Sequence, residues 1–132
     1  MELYRASSFS AGLDICSVEA GLIEPGEIAA FNTGIAVSPP EGTFCQLLSR
    51  SSLALYHKIT VEGGIIDADY RGAIKVILNN QSRKNYYVYP GARIAQLVCQ
   101  KIDYPSVIEV TSLDTTQRGS LGFGSSNMVN FF

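Results

Sequence analysis

A chain of 132 residues, 46% hydrophobic and 17% charged with a formal net charge of -2, is sized for one domain whose core needs no disulfide or metal staple. The near-neutral balance leaves no large basic face and argues against a duplex nucleic-acid partner, although ten Lys and Arg suffice for a local anion pocket. No apolar run is long enough to span a bilayer, and the polar N-terminus carries no signal-peptide pattern, so a soluble, intracellular protein with no membrane partner is expected.

Leu13 to Val18 is the first predicted strand, entered through Ala11-Gly12 with Asp14 near its start. Glu24-Pro25-Gly26-Glu27 makes a turn, Ile28 to Phe31 and Gly34 to Val37 are extended, and Ser38-Pro39-Pro40-Glu41-Gly42 is the next turn. Thr43 to Leu48 predicts a buried strand. Ser49 to Leu55 is the one stretch of helical character, with Ser51 or Ser52 as cap. Two hydroxyls and Arg50 at a helix start serve equally as a capped surface helix or as an anion site.

Val61 to Asn79 reads as a hairpin. Gly63-Gly64 permits close backbone approach, and after Gly72 the chain alternates: Ile74, Val76 and Leu78 on one face, Lys75, Ile77 and Asn79 on the other. The bend between holds Asp67, Asp69, Tyr70 and Arg71, which is poor core material; taken alone it reads as a polar turn between two strands. Gln81 to Asn85 turns the chain into a strand at Tyr86 to Tyr89. Pro90-Gly91 turns it again into Arg93 to Ile102, where Ile94, Leu97 and Val98 are core and Gln96 needs a polar partner. Val107 to Val110 is a last short strand, Thr111 to Gln117 a polar linker, and Arg118 to Ser126 a glycine-rich, mobile tail. Many short strands between Gly/Pro turns indicate an all-β sandwich or barrel.

Cys16, Cys45 and Cys99 are odd in number and far apart, and are expected as buried, small apolar residues in a reducing compartment. His57 is the only histidine, which excludes His-based triads and H-E-x-x-H hydrolases. A general base is then expected to be a carboxylate, and a metal, if used, a hard oxygen-binding one such as Mg²⁺.

Five segments in fixed order resemble the five motifs of the all-β homotrimeric dUTPases. They are Ala11-Gly12-Leu13-Asp14, Arg50-Ser51-Ser52-Leu53-Ala54, Gly64 to Gly72 (GIIDADYRG), Gly91 to Leu97 (GARIAQL) and Arg118 to Ser126 (RGSLGFGSS). The third is the most specific, and the resemblance runs from about Ala11 to Ser126. Departures are a short N-terminal strand, Leu121 where the family usually has a small residue, and Ser126-Asn127 in place of Thr-Gly.

The resemblance implies a jelly-roll-like β-barrel over residues 1–117 with one short helix, a flexible C-terminal arm over 118–132, and a homotrimer with shared active sites. It implies hydrolysis of dUTP to dUMP and pyrophosphate, keeping uracil out of DNA, with Asp67 activating water and Mg²⁺ riding on the substrate phosphates. Asp14 is implied to meet that ion through water. Arg50, Ser51, Ser52 and Gln96 are implied to hold phosphates, Tyr70 to lie against the deoxyribose, and Gly63, Gly64, Ile65 and Ile66 to read uracil with their backbone. Lys75 is implied to reach the nucleotide, and Arg118, Phe123, Gly124, Ser125 and Ser126 to close over it from the tail. A dCTP deaminase shares the Arg-Ser-Ser-Leu segment, but Ile-Asp-Ala-Asp-Tyr argues against it. A non-catalytic interaction protein is the other competing reading; such relatives usually lose the Asp or the Arg, and both are present here.

Overall fold

The computed structural model describes residues 2–125. Strands β1 (Leu13–Cys16), β9 (Arg93–Lys101), β4 (Thr43–Leu48) and β6 (Ile65–Ile66) lie side by side in one sheet. β3 (Ile28–Asn32), β7 (Lys75–Asn80) and β5 (Ile59–Glu62) form a second, and β2 (Gly21–Ile23) pairs with β8 (Tyr86–Val88) in a small third. The arrangement is the all-β fold expected. Its core is made by alternation: Ile74, Val76 and Leu78 are at most 1% exposed, while Lys75 and Ile77 between them face outward. Ile15, Ile23, Ile59, Val88 and Ile94 meet them from the other strands. Each fully buried aliphatic side chain contributes up to roughly 1.5–3 kcal/mol, so the inward set outweighs any single surface contact.

The expected hairpin exists as β5 against β7, with Val61 opposite Leu78. Its bend is not a tight turn. After Glu62 the chain leaves this sheet, and β6 pairs instead with Cys45 and Gln46 of β4 in the other. Gly64 makes the crossing possible. It sits at φ +99°, and a Cβ there would fall 2.5 Å from the Leu47 carbonyl oxygen. The Leu47 N–H donates to the Gly64 carbonyl at 2.7 Å. Crossing between sheets delivers the Asp67–Arg71 turn to the surface beside both.

Three expectations are corrected. Val107 to Val110 forms no strand: every residue from Lys101 to Leu121 is exposed, with Val107 at 98% and Ile108 at 78%. Its β-branched sequence suits a strand, but among the described residues no strand lies beside it to complete the ladder. Ser52 does not cap the helical turn Leu53–His57 with its side chain, because its own backbone is already helical. Of the cysteines only Cys45 is buried; Cys99, opposite it in register, is exposed and Cys16 is half-buried. All three are free, and burial pushes the Cys45 thiol up, with the nearby Cys99 adding to it. Gly34 to Val37 is extended without being a ladder strand, although the Ile74 N–H donates to the Ile35 carbonyl at 2.7 Å. Among the described residues no helix is long and apolar enough to cross a membrane.

Asn80 shows how the sheets are locked. It is fully buried, donates to the carbonyls of Ile23 and Lys84 at 2.8 Å each, and accepts from the Ser82 N–H and hydroxyl. Asn80→Leu removes all of these bonds and leaves the Ile23 carbonyl, where the contact is buried, without this donor. It is expected to cost about 2–4 kcal/mol, since unpaired buried groups lose their full solvation. Denaturant unfolding midpoints at unchanged slope measure this; an equal midpoint refutes the role.

Candidate active site

Register sets the first half of the site. Asp14 of β1 lies opposite Gln96 of β9, and Gln96 lies opposite Leu48 of β4, from which the chain runs directly into Ser49-Arg50. The Gln96 amide finds the polar partner it needs by donating to the Ser49 carbonyl at 2.9 Å. Asp14 is a carboxylate shared by two guanidiniums: Arg50 Nε at 3.7 Å and Arg93 Nη1 at 3.4 Å. Arg50 Nη1 also donates to the Arg93 carbonyl at 3.2 Å. Arg93 in turn lies over the Tyr4 ring, 4.9 Å from its centroid. Nearby, burial pushes the Tyr86 phenol up, and the Arg50 charge offsets part of that.

Asp14, Arg50, Ser51, Ser52 and Gln96 line one open cavity of about 340 Å³, with Ser10 and Gly12 on its rim. Its one guanidinium, hydroxyls and amide are an anion-binding set. Among the described residues no three His, Cys, Asp or Glu side chains converge on a metal position. A lone carboxylate already held by two arginines does not make a metal cage. It fits an outer contact, through water, to an ion that arrives with its own phosphate oxygens.

The second half lies on the excursion between β5 and β7. Ile65, Ile66, Asp67, Tyr70, Ala73, Ile74 and Lys75 line a cavity of about 250 Å³. A larger, more apolar cavity of about 710 Å³ backs onto it, sharing Ile65 and Asp67. Tyr70 is laid flat over Gly72, where any Cβ would overlap the ring, and its hydroxyl donates to the Ala73 carbonyl at 3.0 Å. The Asp67 carboxylate is exposed and has no cation within 4.0 Å among the described residues. It is therefore open to a ligand. The two cavities share no lining residue.

In the tail, Arg118 Nε donates to the Leu121 carbonyl at 2.7 Å, and Ser125 bonds Gly122. Phe123 is fully exposed and, at φ +54°, holds the left-handed shape between Gly119 and Gly124, which share it. Leu121 does not adopt that shape. Ser126 lies outside the described residues. The structure thus groups Asp14, Arg50, Ser51, Ser52 and Gln96 in one place and Ile65, Ile66, Asp67, Tyr70 and Lys75 in another. It leaves Arg118, Phe123, Gly124 and Ser125 on an exposed segment joined to neither cavity.

Arg93 was not singled out by sequence. Strict alternation puts it on the opposite face of β9 from Gln96. A register shift between Ile15 and Cys16, and the reach of arginine, bring it to Asp14.

The dUTPase family profile matches residues 2–127, nearly the whole chain. The chain belongs to the dUTPase family. The mouse deoxyuridine 5'-triphosphate nucleotidohydrolase is 44% identical over 122 residues, 92% of this chain and 75% of the relative. The variola virus dUTPase of the same description is 44% identical over 124 residues, covering 94% and 84%. Among solved structures, the dUTPase of Staphylococcus bacteriophage 80alpha with dUpNHpp superposes at a TM-score of 0.88 with 31% identity, covering 95% of this chain and 90% of that one. A mutant dUTPase from phage phi11 of S. aureus, described with a structural Mg(II) ion, reaches 0.78 at 28% identity, covering 85% and 90%.

Proposed function

We propose that this dUTPase hydrolyses dUTP to dUMP and pyrophosphate with the following division of labour. The backbone of Gly63 to Ile66, held against β4 by the crossing at Gly64, reads the uracil edge with its fixed row of N–H and C=O groups. The Tyr70 ring, pinned over Gly72, lies under the deoxyribose and leaves no room for a 2′-hydroxyl. Lys75 at the cavity wall meets the nucleotide's negative charge. Arg50, Ser51, Ser52 and Gln96 donate to the phosphates.

Asp67 holds a water in line with the α-phosphorus and takes its proton as the O–P bond forms. The bond from the α-phosphorus to the α–β bridging oxygen breaks, and pyrophosphate leaves. Asp14 would contact, through water, a Mg²⁺ carried in on the triphosphate, and such an ion would supply neutralisation of the phosphate charge. From Arg118 onward the chain acts as an arm: Arg118 meets phosphate, Phe123 covers the uracil, and Gly124, Ser125 and Ser126 close on the terminal phosphate.

The observation that carries this reading is the division of the groups one nucleotide needs between two cavities without a common wall residue. A single site then requires Asp67 and Tyr70 of one chain beside Arg50 and Gln96 of another, which a closed three-fold homo-oligomer supplies. The exposed apolar stretch holding Tyr104, Val107, Ile108 and Leu113 is the surface such an assembly would cover. Pyrophosphate release from dUTP, UTP, dCTP and dTTP, measured alongside light scattering, tests the whole. Turnover confined to dUTP by a trimer is expected. Comparable turnover of UTP refutes the sugar gate, and a monomer with full activity refutes the shared site.

A further inference from the structure

Arg71 sits beside the proposed catalytic turn yet lines neither cavity. Its guanidinium has no carboxylate within 4.0 Å among the described residues. Instead it folds back along its own chain. Nη1 donates to the Ala68 carbonyl at 2.7 Å and to the Tyr70 carbonyl at 3.1 Å, and makes a longer contact with the Val37 carbonyl at 3.5 Å.

The turn it grips is otherwise held by one backbone bond, from the Tyr70 N–H to the Asp67 carbonyl at 3.1 Å. Two carbonyls of a four-residue turn facing one cation are drawn together, and charge-assisted bonds are the stronger kind. Val37 belongs to the connector after β3, which is itself tied to Ile74 through Ile35. The guanidinium therefore fastens the turn to the wall of the β7 sheet. Asp67 and Tyr70 stand at the two ends of that turn, and both face the same 250 Å³ cavity.

We infer that Arg71 is a positioning residue which sets the Asp67 carboxylate and the Tyr70 ring at fixed places across the nucleoside cavity, without touching substrate. The inference rests on the roles of Asp67 and Tyr70 proposed above. All three contacts come from the one nitrogen Nη1, so a lysine ammonium, itself one nitrogen with three donors, can restore part of the grip, whereas methionine restores none. Displacing a general base by about 1 Å costs on the order of a hundredfold.

The test uses Arg71→Met and Arg71→Lys in the full chain, each first checked for wild-type assembly by light scattering. Arg71→Met is expected to lower kcat by roughly ten- to a hundredfold, to narrow the ratio of kcat/KM for dUTP over UTP, and to move KM little. Arg71→Lys is expected to recover part of both. Independently of turnover, the Tyr70 amide should exchange with solvent faster in either variant. That readout survives if Asp67 proves not to be the base. Should Arg71→Met fail to assemble, Arg71→Lys and its amide exchange carry the test. Unchanged kcat, selectivity and exchange overturn the inference. So does a salt-dependent rise in KM alone, which marks a phosphate ligand instead.

Discussion

Asp67→Asn is expected to lower kcat on dUTP by about two decades or more while leaving KM within a few-fold. The amide keeps the size and the hydrogen-bonding reach of the carboxylate but does not accept the proton of the attacking water. Asp67 is exposed and unpaired by any cation among the described residues, so the substitution breaks no ion pair and should leave the melting temperature alone. Stopped or steady-state pyrophosphate release, with binding of a non-hydrolysable analogue measured in parallel, separates the two effects. Turnover within threefold of the parent removes Asp67 from the mechanism.

Ending the chain after Gln117 is expected to cut kcat/KM by roughly a hundredfold, the scale set by losing a phosphate donor, while fold and assembly persist. The described part of the tail bonds only itself and its approach: Arg118 to Leu121, Gly122 to Ser125, and the Gly119 N–H to the Thr116 hydroxyl. Among the described residues, none of the buried core lies beyond Leu97. The loss therefore falls on catalysis. Full activity in the truncated protein would falsify the arm's role. The left-handed backbone of the tail falls at Gly119, Phe123 and Gly124 and not at Leu121, so its branched side chain meets no such strain.

What was legible in the sequence had local causes. Thr43 to Leu48 came out as a strand to the residue, because its apolar run lies between the Ser38–Gly42 turn and the polar start of the helical segment at Ser49. The alternating faces of β7 followed in the same way. Gly21–Ile23 did not show itself, since three residues become a strand only through Tyr86–Val88 beside them. The two-residue β6 depends likewise on β4. Val107 to Val110 failed in the opposite sense: the propensity is present and the partner is not. For the site, residue types and motif order marked Asp67, Tyr70, Arg50 and Gln96. The pairing of Asp14 with both Arg50 and Arg93, and the grip of Arg71 on its own turn, arise from register and side-chain reach. Neither leaves a periodic trace.

The bare stretch after Lys101 also bears on how such a chain is made. Fresh from synthesis, it presents Tyr104, Val107, Ile108, Val110 and Leu113 to water in a row with unpaired backbone, a template for pairing with any other open edge. In the proposed trimer that row is covered only when chains meet, so aggregation would compete with assembly until then. On that proposal, yield from an expressing cell would depend on how fast sister chains meet, as much as on how well each one folds.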